Sequence, residues 1–468
     1  MSSTINETAE RTAVATGRSE TDRNPPQLDA AIVRATEALL ASQHADGHWV
    51  FELEADATIP SEYILLHHFL DRIEPGLQAR IAEFIRTRQG EDGGWPLFHG
   101  GALDISCSVK AYFALKAAGH PVDAPHMARA REAILRQGGA RRCNVFTRIM
   151  LALFGEMPWR AVPTMPVEIM LLPEWSPFHI AKVSYWSRTV LVPLLVLMAL
   201  RPRARNPHGV TIRELFLEPP ESVRDWIASA TSAPLALAFA LLDRVLRRAE
   251  PFFPAGPRRR AIETAVAFVT ERLNGEDGLG GIFPAMANSL MMFDCLGYPR
   301  DHPDWQAAAA AVEKLVVRDQ AGSYCQPCLS PVWDTALACH ALMEAEDRRL
   351  EPAIRQALDW LAGKQVLEAS GDWAMARPGL RPGGWAFQYE NPCYPDVDDT
   401  AAVARGVAFL LETQASNGNW DEPWFTAVGF PRVFFLRYHG YRVYFPLWAL
   451  ARYRRLIKGN SERVPFGI

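Results

Sequence analysis

The sequence contains no long block or stripe of lysine and arginine, and its formal net charge is only −4. Nucleic acid as the main partner would need a basic footprint, so that class is set aside. A disulfide framework is also lacking. The cysteine count is odd, seven, scattered at 107, 143, 295, 325, 328, 339 and 393, which suits a reducing compartment. Cys325 and Cys328 form a lone CxxC. A zinc site would need a second pair or histidines at finger-like spacing, and neither is present, so the two read as core cysteines. No apolar run is long enough to cross a bilayer, which takes about 20 residues. The longest are VLVPLLVLMAL at 190–200 and APLALAFALL at 233–242. The first reads as a buried helix. The second is followed by the basic and aromatic DRVLRRAEPFFP, so 233–254 reads either as core or as a segment that dips into one leaflet. Residues 1–27 are polar, hold no apolar signal core and read as a disordered leader. Strand signals are sparse throughout.

Tryptophan, proline and helical periodicity are plentiful. The chain has 468 residues, 14 Trp and 35 Pro. That length exceeds one ordinary core and predicts two domains. Apolar residues at three-four spacing, punctuated by Gly or Pro, predict helices over 28–43, 77–89, 107–119, 126–137, 261–273, 304–317, 333–345, 352–364 and 400–413. The chain therefore reads as all-α. A repeat closes three of these helices: QHADGHW at 43–49, QGEDGGW at 89–95 and QASNGNW at 414–420, each QxxxGxW. Degenerate copies stand at 274–280 (NGEDGLG) and 365–373 (QVLEASGDW). The pattern has a mechanical logic. Gly turns left-handed past a helix end, the Gln amide ties loop backbone groups, and the Trp ring folds back over the helix. Repetition of this kind predicts helical hairpins packed in a ring or solenoid.

YPDVDDTAAV at 394–403 places Asp396, Asp398 and Asp399 within four positions. A diphosphate-binding metal clamp would set carboxylates one helical turn apart, and offsets of two and three do not. Crowded carboxyls resist full ionisation, so one keeps its proton. If hydrogen bonds hold the flanking pair ionised, the middle group, Asp398, is the acid. The plainer reading is that Asp398 or Asp399 is only an N-cap for the helix that follows. An acid strong enough for an alkene needs a dry site and stabilisation of the cation it makes, which aromatic faces supply at about 0.5–2 kcal/mol each. Candidate rings are Trp186, Trp333, Phe387, Phe430, Phe434, Tyr438 and Tyr441. Each of these is also a plausible core residue on its own.

Together the QxxxGxW repeats, DVDDTA, SPVWDTALA at 330–338 and the tail GFPRVFFLRYHGYRVYFPLWALARY resemble the squalene–hopene cyclases, class II triterpene cyclases, from about residue 30 onward. The resemblance implies two α/α barrels: a catalytic one from 28–53 plus 329–468, and a second, 54–328, inserted into it. It implies an intramolecular transferase (isomerase or lyase) that cyclises squalene to hopene or hopanol by protonation, with no cofactor. It also implies monotopic attachment to the cytoplasmic side of the inner membrane, and is compatible with a homodimer. Carried over by motif, Asp398 is the proton donor beside Asp396 and Asp399. Phe387 and Trp333 line the early-ring region, and Phe430, Phe434 and Tyr438 the later cations. Trp186, Glu62 and Ile282 shape the far end, where Phe283 replaces a common Gln. Gln388 joins the network around the acid. One departure is large. In the family a long run with further repeats separates DVDDTA from the last repeat, whereas here Asp399 and Gln414 are fifteen positions apart. That run would carry a His that bonds the acid cluster. His439, the only His after Asp399, does not match it. The alternative expectation is thus a shortened, catalytically inactive, membrane-associated relative. A helical-barrel prenyltransferase subunit is a third, and no Asp, Cys and His set for its zinc is found.

Overall fold

The computed structural model describes residues 26–223, 226, 234–318, 322–345, 347–376, 378–379, 382, 384–394, 428–430 and 434–457. The described chain is predominantly helical. It opens with α1 (Pro26–Ala41), α2 (Thr58–Leu70), α3 (Pro75–Thr87), α4 (Ile105–Ala117), α5 (Pro125–Arg136) and α6 (Val145–Leu153). It continues with α7 (Tyr185–Leu200), α8 (Pro234–Ala249), α9 (Ala255–Thr270), α10 (Phe283–Cys295) and α11 (Pro303–Lys314). It closes with α12 (Pro331–Glu344), α13 (Glu351–Gly363), the short α14 (Gly371–Ala376) and α15 (Tyr441–Ile457). Starts follow local chemistry. Asp104 and Asn144 cap α4 and α6 by accepting from the amides of Cys107 and Thr147. Proline, which has no amide hydrogen to lose, stands in the first turn of α3, α5, α10, α11, α12 and α13.

The two intact repeats in the described chain are built alike. The indole of Trp49 donates to Leu39 O at 2.8 Å, and that of Trp95 to Ile85 O at 2.7 Å. Gln43 Nε2 donates to Gly47 O at 2.8 Å and across to Ala353 O at 3.0 Å. Gln89 Nε2 donates to Gly93 O at 2.8 Å and to His126 O at 2.8 Å. In each copy one amide therefore closes its own loop and clamps the first turn of the next helix in space, α13 or α5. Gly47 and Gly93 sit at φ 100° and 92°, a region that penalises any Cβ. The helix expected at 400–413 and the repeat at 414–420 lie outside the described residues.

One degenerate copy needs correcting. Trp373 was the expected ring of the 365–373 copy, yet its indole bonds Pro392 O at 3.0 Å. The equivalent bond, to the carbonyl four residues before the Gln, is made by Trp385, whose indole donates to Leu361 O at 2.6 Å. The loop carries an insertion, and the amide of Val366 closes it on Gly384 O at 2.8 Å.

Small strands add what helical periodicity did not predict. β1 (Leu53–Ala55) pairs antiparallel with β5 (Phe434–Tyr438), which pairs with β4 (Val428–Phe430). A separate hairpin joins β2 (Val316–Arg318) to β3 (Ser323–Cys325). The first sheet ties the tail motif to a segment near the start of the chain.

Burial resolves into two apolar clusters. One gathers residues from Leu53 to Cys328. The other joins α1 and Trp49 to α12, α13 and α15. Cys325 and Cys328 both lie in the first. The 190–200 run is buried from Val192 to Met198 within α7, as expected, with Leu200 exposed at its end. The second run is not simply core, because α8 exposes Phe239, Leu241 and Val245 beside Arg244 and Arg248. Among the described residues no helix is long and apolar enough to cross a membrane.

Candidate active site

Helix α2 (TIPSEYILLHHFL) is buried at every position except Glu62. That exception marks the wall of a cavity of about 230 Å³ lined by α2, α4, α6, α7 and α10. Its lining is mostly hydrocarbon and aromatic, including Ile59, Phe69, Phe146 and Phe154. Three residues singled out from remote parts of the sequence, Glu62, Trp186 and Ile282, meet in this one wall. Phe283 does not join them. It is fully buried at the start of α10, and its amide donates to Pro327 O at 2.7 Å.

One polar feature of the wall escaped sequence reading. Lys110 of α4 is 2% exposed and sets its Nζ 2.6 Å from Glu62 Oε1. Burial alone would drive its pKa down, but the Glu62 carboxylate, with Asp56 behind it, leaves the ammonium held above its ordinary range. A single Lys inside ISCSVKAYFAL, among apolar and small residues, was the available signal. Nearby, burial pushes the Asp56 carboxyl up to about 7, although the Thr58 amide donates to its Oδ1 at 2.5 Å.

The remaining described rings form a ladder. Trp333 lies 6.3 Å from Phe387 between centroids. Phe387 meets Tyr438 edge-on at 6.5 Å, and Tyr438 stacks on Tyr441 at 4.7 Å. These separations are within or near the usual range for interacting rings. Phe387 and Tyr438 pack on the first apolar cluster, Trp333 and Tyr441 on the second, so the ladder bridges the two. Phe430 and Phe434 are register partners across β4 and β5, and their side chains lie outside what is described.

The segment leading into the acid motif is held by many contacts. Asp372 accepts from Arg272 Nε at 2.8 Å and pairs with Arg188 at 2.9 Å. Asn391 Oδ1 accepts from the Tyr185 hydroxyl at 2.7 Å. Gln388 is buried, accepts from Asn391 Nδ2 at 3.3 Å and packs against Gly281, where a Cβ would stand 2.6 Å from Gln388 Cγ. Tyr394 stacks on Tyr185 at 4.8 Å and meets Trp186 edge-on at 5.3 Å. Asp396, Asp398 and Asp399 themselves lie outside the described residues.

Residues 32–321 match the Squalene-hopene cyclase N-terminal domain. Residues 329–405 and 401–455 match the Squalene-hopene cyclase C-terminal domain in two stretches. A squalene–hopene cyclase of Bradyrhizobium diazoefficiens is 40% identical over 640 aligned positions, covering 94% of this chain and 97% of the relative. Those positions outnumber the 468 residues here, so the alignment crosses a long gap in this chain. A squalene–hopene cyclase of Zymomonas mobilis is 53% identical over 84% of this chain, and the match spans 64% of the relative's length. One from Alicyclobacillus acidocaldarius is 34% identical, with 84% and 65% covered. The match thus spans just under two thirds of these last two relatives. A solved type II terpene cyclase from Scytonema aligns at 13% identity with a TM-score of 0.18, too low to compare arrangements. Both domain matches and the identities over most of the chain lead to one statement: the chain belongs to the squalene–hopene cyclase family.

Proposed function

We propose that the chain cyclises squalene to hopene or hopanol, with Asp398 donating a proton to an alkene carbon between the carboxyls of Asp396 and Asp399. The observation that carries this reading is the apolar cavity in whose wall Glu62, Trp186 and Ile282 meet. The apolar cavity supplies the dry surroundings that a carbocation needs. The Trp333–Phe387–Tyr438–Tyr441 ladder supplies ring faces that attract positive charge without bonding to it. The last cation ends its life near Glu62, by losing a proton or by taking water.

The two apolar clusters support a division into barrels of 28–53 plus 329–468 and of 54–328. The exposed apolar residues of α8, flanked by arginines, support contact with an anionic membrane surface from which insoluble squalene enters.

A second reading is favoured by the alignment gap: a shortened relative that keeps the fold and membrane contact without turnover. Incubation of the purified chain with squalene in detergent, followed by gas chromatography, separates the two. Triterpene from the parent and none from Asp398→Asn is the expected result. No product from the parent, with retained co-sedimentation on phosphatidylglycerol vesicles, would select the inactive relative.

A further inference from the structure

Two histidines meet at the α4–α5 connection, away from the cavity. His120 Nδ1 lies 2.9 Å from His126 Nε2, and the rings meet edge to face with centroids 5.0 Å apart. Both residues are half-buried. His120 is fixed from behind, because its amide donates to Leu115 O at 3.0 Å just past Gly119 at φ 95°. His126 is the second residue of α5, and its carbonyl is the one that Gln89 of the second repeat clamps. The other end of the same Gln amide accepts from Arg129 at 2.8 Å. The ring pair and the repeat clamp therefore hold one helical turn. In the first repeat the clamped carbonyl belongs to Ala353, which has no ring to pair.

The two facing nitrogens have room for one proton between them. A neutral imidazole has one N–H and one lone pair, so one ring donates and the other accepts. A first added proton can go to an outward nitrogen and leave that bond in place. A second puts an N–H on both facing nitrogens, and two donors 2.9 Å apart repel. Burial holds both imidazoles below their ordinary 6.5, with Arg86 of α3 acting on each and Arg129 of α5 on His126. Glu83 of α3 pulls the other way, and its bond from Arg86 keeps it ionised into the acid range.

We propose that the His120–His126 pair is an acid-sensitive latch on the second repeat: double protonation parts the rings and frees the first turn of α5 from the Gln89 clamp. The open or unfolded chain takes up protons near pH 6.5 and the closed pair only at lower pH. Stability from the latch is thus complete above about pH 6.5 and is lost as pH falls below it. The stimulus is the proton itself, and no step of the cyclisation enters.

Amide hydrogen exchange of the full chain, read by mass spectrometry on peptides covering 119–129, tests the latch at pH 7.5 and pH 5 against the variant His126→Gln. The Gln Oε1 accepts from His120 Nδ1 whether that ring is neutral or charged, so the bond survives and the second protonation disappears. The carbonyl that Gln89 clamps is unchanged. Comparing parent with variant at one pH cancels the intrinsic pH dependence of exchange. The parent is expected to match the variant at pH 7.5 and to exchange about tenfold faster at pH 5, the ratio given by one proton bound tenfold more tightly in the open form. The same parent-to-variant ratio at both pH values overturns the proposal. If the variant does not fold, the parent alone decides: its 119–129 peptides, corrected for intrinsic rate, are compared with those of α10. A rise at pH 5 confined to 119–129 supports the latch, and a uniform change overturns it.

Discussion

The phenol oxygen of Tyr444 lies 3.2 Å from Oδ1 of Asp334, and both residues are at most 1% exposed. Asp334 Oδ2 accepts from the Phe51 amide and the Ser330 hydroxyl, both at 2.9 Å. One carboxyl therefore joins the first turn of α12 to α15 and to the strand-like segment after the first repeat.

Burial raises the Asp334 carboxyl from 3.8 to about 7. Between those values the unfolded chain releases the proton and the folded chain keeps it. Stability from this group is thus fully present below pH 4 and falls as pH rises to about 7, by roughly 2–4 kcal/mol. Asp334→Asn mimics the neutral acid, with its oxygen facing Phe51 and Ser330 and its amide facing Tyr444. Urea denaturation across pH 4–8 is expected to show the parent losing stability relative to the variant as pH rises. Parallel curves would mean that Asp334 is ionised in the fold.

Gly93 tests the repeat geometry. A Cβ there would stand 2.9 Å from Arg129 O at φ 92°. Gly93→Ala is expected to cost about 2–4 kcal/mol, from left-handed strain plus displacement of α5. Gly256→Ala, which meets nothing within 4 Å, is the control. Equal denaturation midpoints for the two variants would refute the packing.

Asp372 pairs with both Arg188 and Arg272 in a mostly buried setting. Asp372→Ala leaves Arg188 without its carboxylate and Arg272 with only the exposed Glu271, and is expected to destabilise by about 3–5 kcal/mol. A loss below 1 kcal/mol in guanidinium unfolding would mean that water already serves both arginines.

Phe387 stands mid-ladder between Trp333 and Tyr438. Phe387→Leu keeps apolar volume and removes the ring face. Turnover of squalene is expected to fall about 2- to 30-fold, with more early-terminated products, while Phe387→Tyr stays close to the parent. If Leu and Tyr behave alike, the ring acts only by filling space.

Much of this was legible because the contacts are local. The repeat places Gln, Gly and Trp within seven residues, so its cap can be read from spacing, and Trp49 and Trp95 bond where that spacing implies. Trp385 was not legible, because its Gln is twenty positions away and Trp373 offers a nearer decoy. Nor was the sheet. Leu53 pairs with Tyr438, and no periodicity within either short strand announces a partner so distant. Glu62, Trp186 and Ile282 were named from motifs, and the structure gathers them in one wall. Lys110 carries no motif, and only folding reveals that its helix has no wet side there.

The hydrogen bond from the Val366 amide to Gly384 O has a practical consequence for engineering. It fastens both ends of an excursion whose first half is tied separately, Asp372 to two arginines and Trp373 to Pro392 O. Peptide inserted at residues 378–379, beyond those ties and short of the closing bond, is therefore expected to lengthen the loop without pulling the Trp385 indole from Leu361 O.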